Sequence, residues 1–211
     1  MSYPPSETST PAASPLQVFI YGVGGHGRVI RDFFYENKYE VVFVDDSGAP
    51  GAISPNDLPD GATVVLGIGD NKSREKIFSQ LKSSEKKLIF PVALHWSVHL
   101  SGRASLDEGV VLCANSVICT GARLGKGVIV NTSATVDHDC VIGDFAHIAP
   151  GVNLCGAVSI GDGTLIGVGS AVIPGISIGA GSVIGAGAVV VEDIPSKVLA
   201  VGNPCRVIRS L

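Results

Sequence analysis

The chain has 211 residues, a net charge of −4 at pH 7 and 45% hydrophobic residues, a composition that supports a buried core. The sequence contains no dense run of Lys and Arg, which predicts that nucleic acid is not a partner. No uninterrupted apolar stretch approaches the roughly 18 residues that a membrane-spanning helix needs, and the first residues lack the basic and apolar regions of a signal peptide. We therefore expect a cytoplasmic protein without membrane insertion.

The N-terminal part of the chain changes composition near residue 16. Residues 1–15 are rich in Ser, Thr and Pro and predict a disordered tail. From residue 16 to residue 95, short β-branched runs alternate with polar, helix-like segments, which predicts a small Rossmann-like βαβαβ domain with a parallel sheet. The predicted strands are LQVFIY (16–21), EVVFVDD (40–46), ATVVLGI (62–68) and KKLIF (86–90), and the predicted helices are 28–37 and 72–82.

A glycine motif follows the first predicted strand. Gly22, Gly24 and Gly27 form GxGxxG at the start of a predicted helix, where backbone amides can hold a diphosphate. The acidic pair Asp45 and Asp46 ends the next strand, where a carboxylate commonly meets a ribose or a base. This domain is long enough for only one βαβαβ half, so a mononucleotide diphosphate fits it better than NAD. A purely structural tight turn is the alternative for the glycines.

Residues 96–211 repeat with a period of six. An aliphatic residue occupies every sixth position without a gap: Leu100, Leu106, Leu112, Ile118, Leu124, Val130, Val136, Ile142, Ile148, Leu154, Ile160, Ile166, Val172, Ile178, Ile184 and Val190. The residue four positions after each of them is mostly small or β-branched. This pattern predicts a triangular parallel β-helix with three hexads in each coil. We expect the glycine that often follows the aliphatic residue to serve the corners, where the chain turns.

One segment of the repeat, VDHDC, departs from the pattern. His138 and Asp139 occupy outward positions in it, where a role in the core cannot explain them. A histidine beside a carboxylate is suited to accept a proton from an attacking amine. We predict that His138 is a general base. An exposed histidine with no catalytic part is the alternative.

The repeat resembles the hexapeptide-repeat acyltransferases. Combined with GVGGHG on a small α/β domain and with VDHDC in the coils, the whole chain after residue 15 resembles the nucleotide-sugar N-acetyltransferases of the PglD/NeuD type. The resemblance implies a left-handed β-helix, a homotrimer and acetyl-CoA bound in the cleft between neighbouring subunits. A flat flank to bury and a groove at the subunit boundary are physical reasons for such an assembly.

The resemblance also assigns residues. It implies His138 as the catalytic base, oriented by Asp139, which is one methylene shorter than the Glu of some members. The implied acetyl-CoA contacts are His147, Gly156, Val168 and Ala186. The implied nucleotide-sugar contacts are Gly24, Gly25, His26, Asp45, Asp46, Gly67 and Asn71. For His26, a place at the helix start without ligand contact is the alternative.

These observations predict an acetyl-CoA-dependent N-acetyltransferase that acts on an amine, at C4, of a nucleotide-linked amino-deoxysugar. O-acetylation of sialic acid or a related sugar is the alternative within the same class. A γ-carbonic-anhydrase-type hydratase would need a third suitably spaced histidine in the coils, and we predict no metal site. The odd set of five cysteines has no CxxC pair and predicts reduced, packed thiols. A scaffold protein would have no use for the outward His–Asp pair.

Overall fold

The computed structural model describes residues 16–34 and 39–211. The predicted tail at 1–15 lies outside the described residues, as does the end of the first predicted helix at 35–37.

The N-terminal part is a parallel sheet of four strands with the order β3-β2-β1-β4. Its elements are β1 Leu16–Tyr21, α1 Gly25–Arg31, a 3-10 helix Asp32–Phe34, β2 Tyr39–Val44, β3 Ala52–Ile53, a 3-10 helix Pro55–Asp57, β4 Val64–Leu66 and α2 Asn71–Lys82. Three of the four predicted strands are confirmed. The fourth, KKLIF, contributes one bridging residue, Ile89, which pairs with Thr63. Pro91 follows shortly and has no N–H to continue such a ladder.

The first helix begins earlier in the chain than its sequence predicts. We expected a helix over 28–37, whereas α1 begins at Gly25 and ends at Arg31. The start was missed because glycine is a poor helix former, and two glycines lie in the first turn of α1.

From Ala93 onwards the chain winds into a parallel β-helix with three faces. Face 1 contains β5 Ala93–Leu94, β8 Val111–Leu112, β11 Ile129–Val130, β14 His147–Ile148, β17 Leu165–Ile166, β20 Val183–Ile184, β22 Val198–Val201 and β23 Arg206–Ser210. Face 2 contains β6 His99–Leu100, β9 Val117–Ile118, β12 Thr135–Val136, β15 Asn153–Leu154, β18 Ala171–Val172 and β21 Val189–Val190. Face 3 contains β7 Ser105–Leu106, β10 Arg123–Leu124, β13 Val141–Ile142, β16 Ser159–Ile160 and β19 Ser177–Ile178.

The predicted ladder is the core of this coil. Strands pair in parallel with partners eighteen residues on, as Arg123 does with Val141, so three hexads make one coil as predicted. Every ladder residue from Leu112 to Val190 is at most 3% exposed. The coil starts before the first ladder position at Leu100, because Ala93 already pairs with Val111.

Four-residue corners connect the faces. Corner A joins face 1 to face 2 (113–116, 131–134 and their repeats), corner B joins face 2 to face 3 (119–122, 137–140, 155–158), and corner C joins face 3 to face 1 (125–128, 143–146, 161–164). The third corner residue has a positive φ from Gly109 to Gly187. We expected the glycine directly after the ladder residue to let the chain turn at the corner, but its role is to make room for the next coil. A Cβ on Gly161, for example, would lie 2.7 Å from Cα of Ala180 in the next coil. Close approach of the coils therefore requires these glycines.

The N-terminal domain packs against face 1 and corner C. Val111 and Ile129 of face 1 share a core with Ile20 and Ile30 of the N-terminal domain. Phe145, from corner C, inserts into the second core of the N-terminal domain, where its ring lies 5.4 Å from that of Phe78. Corner B, between the other two faces, lies opposite the docked domain.

Candidate active site

His138 and Asp139 form a hydrogen-bonded pair on the surface of corner B. Nδ1 of His138 lies 2.9 Å from Oδ2 of Asp139, and the two side chains are 56% and 70% exposed. The shorter carboxylate therefore reaches the imidazole. The hydrogen bond to Asp139, together with the negative charge of Asp137, raises the pKa of His138 above its ordinary value. With Nδ1 bonded to the carboxylate, Nε2 is the ring nitrogen left to accept a proton.

Two features of the backbone hold this pair in place. Asp139 is the third residue of its corner and has a φ of 58°, a left-handed conformation that Asp tolerates better than most residues. Oδ1 of Asp137 accepts a hydrogen bond of 2.7 Å from the backbone N–H of His138. Asp137 was not among the predicted site residues, although its place directly before the outward His138 was a usable signal.

The predicted nucleotide residues follow the carboxyl ends of β1, β2 and β4. A cavity of about 280 Å³ is lined by Tyr21, Gly22, Asp45, Asp46, Ile68, Ser73, Lys76 and Ile77. A second cavity of about 450 Å³ shares Tyr21, Asp46 and Ile77 with it. Hydrogen bonds from Ser47 lower the pKa of Asp45. Burial, followed by the charges of Asp46 and Asp45, raises the pKa of Tyr21 to about 12, so its phenol remains a donor.

The glycines of this region divide into two groups. Gly24 and Gly25 are exposed, and a Cβ on either would meet nothing within 4 Å, so their surface is open to a ligand. Gly67 belongs to the packing instead, because its Cβ would lie 2.8 Å from Cα of Gly27. Gly27 in turn lies against the carbonyl of Gly22. Close packing of α1 on the strand ends therefore explains Gly27 and Gly67 without a ligand.

The side chain of Asn71 points to the β-helix. Its Nδ2 donates to the carbonyls of Gly163 and Thr164, at 3.0 and 3.2 Å, and its Oδ1 accepts from Arg74. Both ends of the amide are therefore engaged in docking the two domains, and no free end is left for a nucleotide. Its assignment to the nucleotide sugar stays a prediction that this geometry does not support.

Arg74 is the residue of this interface that the sequence analysis missed. It is fully buried, and burial lowers its pKa to about 10, so it remains charged at neutral pH. Its guanidinium joins the loop before α2 to two successive turns of corner C. The six acceptors are Ile68 O, Gly69 O, Asn71 Oδ1, Gly127 O, Phe145 O and Ala146 O, at 2.7 to 3.4 Å.

His26 and His147 meet beside this arginine. Their ring centroids are 6.4 Å apart. Nδ1 of His147 lies 3.2 Å from the carbonyl of Gly69, and its Nε2 lies 3.0 Å from Nδ2 of Asn131. Burial, followed by the charge of Arg74, lowers the pKa of each histidine to about 4, so both are neutral at physiological pH. Nε2 of His26 is buried without a hydrogen-bond partner.

The predicted acetyl-CoA residues do not lie together within one chain. Gly156 is buried in corner B under the ring of His138. Val168, which is 51% exposed, and the exposed Ala186 lie on corner A, and His147 lies on face 1. The exposed His138–Asp139 pair is thus on the opposite side of the coil from the two cavities at the ends of β1 and β2.

Within residues 16–34 and 39–211, no three His, Cys, Asp or Glu side chains converge as metal ligands. Neither helix of that part of the chain is long and apolar enough to cross a membrane. All five cysteines are unpaired thiols, as predicted.

Known proteins resemble this chain in both of its parts. The family model described as the PglD N-terminal domain matches residues 17–81, and the hexapeptide repeat of succinyl-transferase matches residues 157–192. The acetyltransferase domain of PglB from Neisseria gonorrhoeae is 33% identical, with a TM-score of 0.84, over 91% of this chain and 99% of that chain. The chain belongs to the PglD/NeuD-type sugar acetyltransferases. This PglD-type chain is therefore an acyltransferase of the predicted fold class.

Two other sugar acetyltransferase structures resemble the PglD-type chain over a similar length. PerB from Caulobacter crescentus, in complex with CoA and GDP-perosamine, is 35% identical with a TM-score of 0.84, over 92% of this chain and 97% of that chain. WeeI from Acinetobacter baumannii is 28% identical with a TM-score of 0.82, over 92% of this chain and all of the other. The PglB domain has also been crystallised with acetyl coenzyme A.

Proposed function

We propose that the protein transfers an acetyl group from acetyl-CoA to the C4 amine of a nucleotide-diphosphate-linked amino-deoxysugar. The observation that carries this proposal is the exposed His138–Asp139 pair on the same coil to which the nucleotide domain is docked. Gly127 and Phe145 of corner C, which bind Arg74, precede and follow His138 within one coil. The complexes of PerB with CoA and GDP-perosamine support the two substrates.

The reaction needs a proton acceptor. The amine nitrogen attacks the thioester carbonyl carbon, the N–C bond forms, the C–S bond breaks and CoA leaves as its thiol. Nε2 of His138 accepts the proton that the amine loses, and Asp139 stabilises the resulting imidazolium through Nδ1. The imidazolium then returns a proton to the CoA sulfur. PerB has been crystallised with CoA and GDP-perosamine as variants in which one histidine is replaced by Asn or Ala. These complexes support a functional role for a histidine in this family.

The nucleotide is assigned to the two cavities at the ends of β1 and β2. The exposed backbone of Gly24 and Gly25 would meet the diphosphate, and Asp45 and Asp46 the ribose or the base. The neutral imidazole of His26 borders this loop, and its predicted contact with the sugar rests on that position, because its Nε2 is buried without a hydrogen-bond partner.

A homotrimer completes the proposed site. Because corner B lies opposite the nucleotide domain of its own chain, His138 has to act on the sugar held by a neighbouring copy. Corner A of that neighbour, with Val168 and Ala186, would then form the other wall of an acetyl-CoA cleft with Gly156. Side-by-side packing of three coils brings a corner B and a corner A together at each boundary.

The direct test is thiol release from acetyl-CoA in the presence of UDP-, GDP- and dTDP-linked 4-amino-4,6-dideoxysugars. We expect turnover with one of them, and no turnover with any of them would refute the proposal. Product formed only from sialic acid would replace it by the O-acetyltransferase alternative. A thermal-shift panel of UDP, GDP, dTDP and CMP would identify the nucleotide by the stabilisation it gives.

The shared site has its own test. His138→Ala and Asp45→Lys should each inactivate the enzyme, the first through the base and the second through the nucleotide. After co-expression, mixed trimers contain boundaries with an intact base from one chain and an intact nucleotide site from another. Partial recovery of activity is expected. No recovery from mixed trimers whose composition mass spectrometry confirms would place the whole site within one chain.

A further inference from the structure

Gly156 lies one coil beyond His138 at the same position of corner B, and the imidazole covers it. A Cβ at 156 would lie 2.5 Å from Cε1 and 3.1 Å from Cδ2 of His138, and closer still to Nε2. These separations are shorter than van der Waals contact allows. The ring of His138 therefore occupies the space that any larger residue at 156 would need.

The fold does not itself require glycine at this position. Gly156 has no positive φ, so its backbone is open to any residue. The second residue of a corner is elsewhere often larger, and Gly102 is the other glycine found there. Examples of this second residue are Ala114, Thr120, Thr132, Pro150, Val168, Pro174 and Ala186. What sets Gly156 apart is the imidazole that lies over it.

The carboxylate of the pair has a matching arrangement in the opposite direction. Asp139 lies over Gly121, one coil earlier, where a Cβ would contact Oδ1 and lie 3.4 Å from Cγ of Asp139. Gly121 also has a φ of 73°, so its backbone alone accounts for glycine. Gly156 is thus the position at which space, and not backbone conformation, explains the glycine.

We infer that Gly156 is a positioning residue for the catalytic histidine. Its missing side chain lets the imidazole of His138 lie along the coil axis, where Nδ1 reaches Asp139 at 2.9 Å. A methyl group at 156 turns the ring away from the coil, breaks that bond and changes the direction of Nε2. The inference rests on the proposed function, because the orientation of the ring matters only if His138 is the base.

The test is Gly156→Ala, with Gly102→Ala as its matched control. A Cβ on Gly102 meets nothing within 4 Å, and its φ is not positive. In Gly156→Ala we expect kcat to fall about tenfold or more, a part of the 10²–10⁴-fold that a general base contributes. The KM for the nucleotide sugar and the melting temperature should be retained. The pKa of His138, followed by NMR, should fall towards its ordinary value. Gly102→Ala should match the wild type in all of these.

The outcomes separate the two proposals. Wild-type kcat in Gly156→Ala overturns the positioning role, and so does a loss of activity with an unchanged pKa of His138. A raised KM for acetyl-CoA with unchanged kcat also overturns it, because Gly156 would then act on the cleft. His138→Ala provides the reference. Full activity in His138→Ala refutes the proposed function itself, whereas its loss beside a fully active Gly156→Ala refutes only the inference.

Discussion

His138 and His147 lie on the same β-helix, nine residues apart, yet they experience opposite environments. His138 is on the open corner B, bonded to a carboxylate, and its pKa is raised. His147 is on face 1 under the docked domain, close to the buried Arg74, and its pKa is lowered to about 4. The repeat alone does not make this difference, since both side chains point outward from it. The docked N-terminal domain makes the difference. It buries His147, which stays a neutral hydrogen-bonding group at neutral pH, and leaves His138 exposed and able to exchange protons.

The largest expected effect comes from removing the exposed histidine. His138→Ala should lower kcat by about 10²–10⁴-fold, because no neighbouring side chain replaces its proton transfer. The measurement is initial rate at saturating substrates. The matched control is His99→Ala, an exposed histidine on face 2 in the first coil, which should keep the wild-type rate. Equal rates in the two variants would contradict the assignment of the base.

The buried environment of His147 is tested by replacing Arg74, which lies beside it. Arg74→Met keeps most of the side-chain volume but leaves buried carbonyls of both domains without their donor. We expect a loss of about 2–5 kcal/mol in the free energy of unfolding, since each unpaired buried group costs about 1–3 kcal/mol. Urea unfolding measures it. Arg103→Met, at an exposed corner position, should change stability by less than about 0.5 kcal/mol. A similarly small effect at Arg74 would show that its hydrogen bonds contribute nothing.

The two histidines should also differ in how they link stability to pH. The folded pKa of His147 is about 4, below its ordinary value of 6.5. As the pH falls, this imidazole therefore binds a proton in the unfolded chain at a higher pH than in the folded protein. The stability from the neutral ring is complete above about pH 6.5 and is lost as the pH falls towards 4. At pH 5 the loss is about 2 kcal/mol for such a histidine. Unfolding of His147→Gln between pH 7.5 and 4.5 should show a flatter dependence on pH, whereas His138→Gln should make it slightly steeper, because the raised pKa of His138 adds stability as the pH falls.

The smallest effect concerns the hydrogen bond to Asp139. The base works when neutral, so activity rises with pH through the pKa of His138, which Asp139 holds above its ordinary value. Asp139→Asn should move the acid limb of the kcat profile to lower pH, because the hydrogen bond that raises the pKa of His138 is weakened. Asp139→Glu retains the charge and should leave the limb near its original place. An unmoved limb in Asp139→Asn would mean that another group, such as the substrate amine, sets it.

The sequence predicted the coil well because its signal repeats. The ladder from Leu100 to Val190 gives the same answer at every sixth residue, and the buried core follows it. The outward His138 and Asp139 were found for the same reason, as exceptions to a regular pattern. Local propensity was weaker where the structure depends on packing, as at the start of α1, where Gly27 lies close to the carbonyl of Gly22 at the end of β1.

The interface between the domains could not be predicted in this way. Arg74 has the position of an ordinary charged residue on a helix, and nothing in its neighbours shows that it is buried. The ligand contacts predicted for Asn71 and Gly67 stay predictions, and the docking and packing contacts of these two residues were not foreseen. All of these contacts join segments that are far apart in the sequence, such as Arg74 with Gly127. A single sequence does not show which distant surfaces meet.

The hydrogen bonds of Arg74 also fix the position of the N-terminal domain along the axis of the β-helix. Gly127 and Phe145 are the two ends of one turn of the coil, and His138 lies on that same turn, so the nucleotide domain and the base share a level along the prism. Whole turns gained or lost after residue 164 would lengthen or shorten the prism without disturbing that level. Insertion or deletion of six residues between 128 and 137 would instead move His138 from corner B to a different corner. A change of eighteen residues beyond Thr164 should therefore preserve the level of His138, although it would displace the predicted acetyl-CoA residues Val168 and Ala186, whereas a change of length within the turn 127–145 should be excluded.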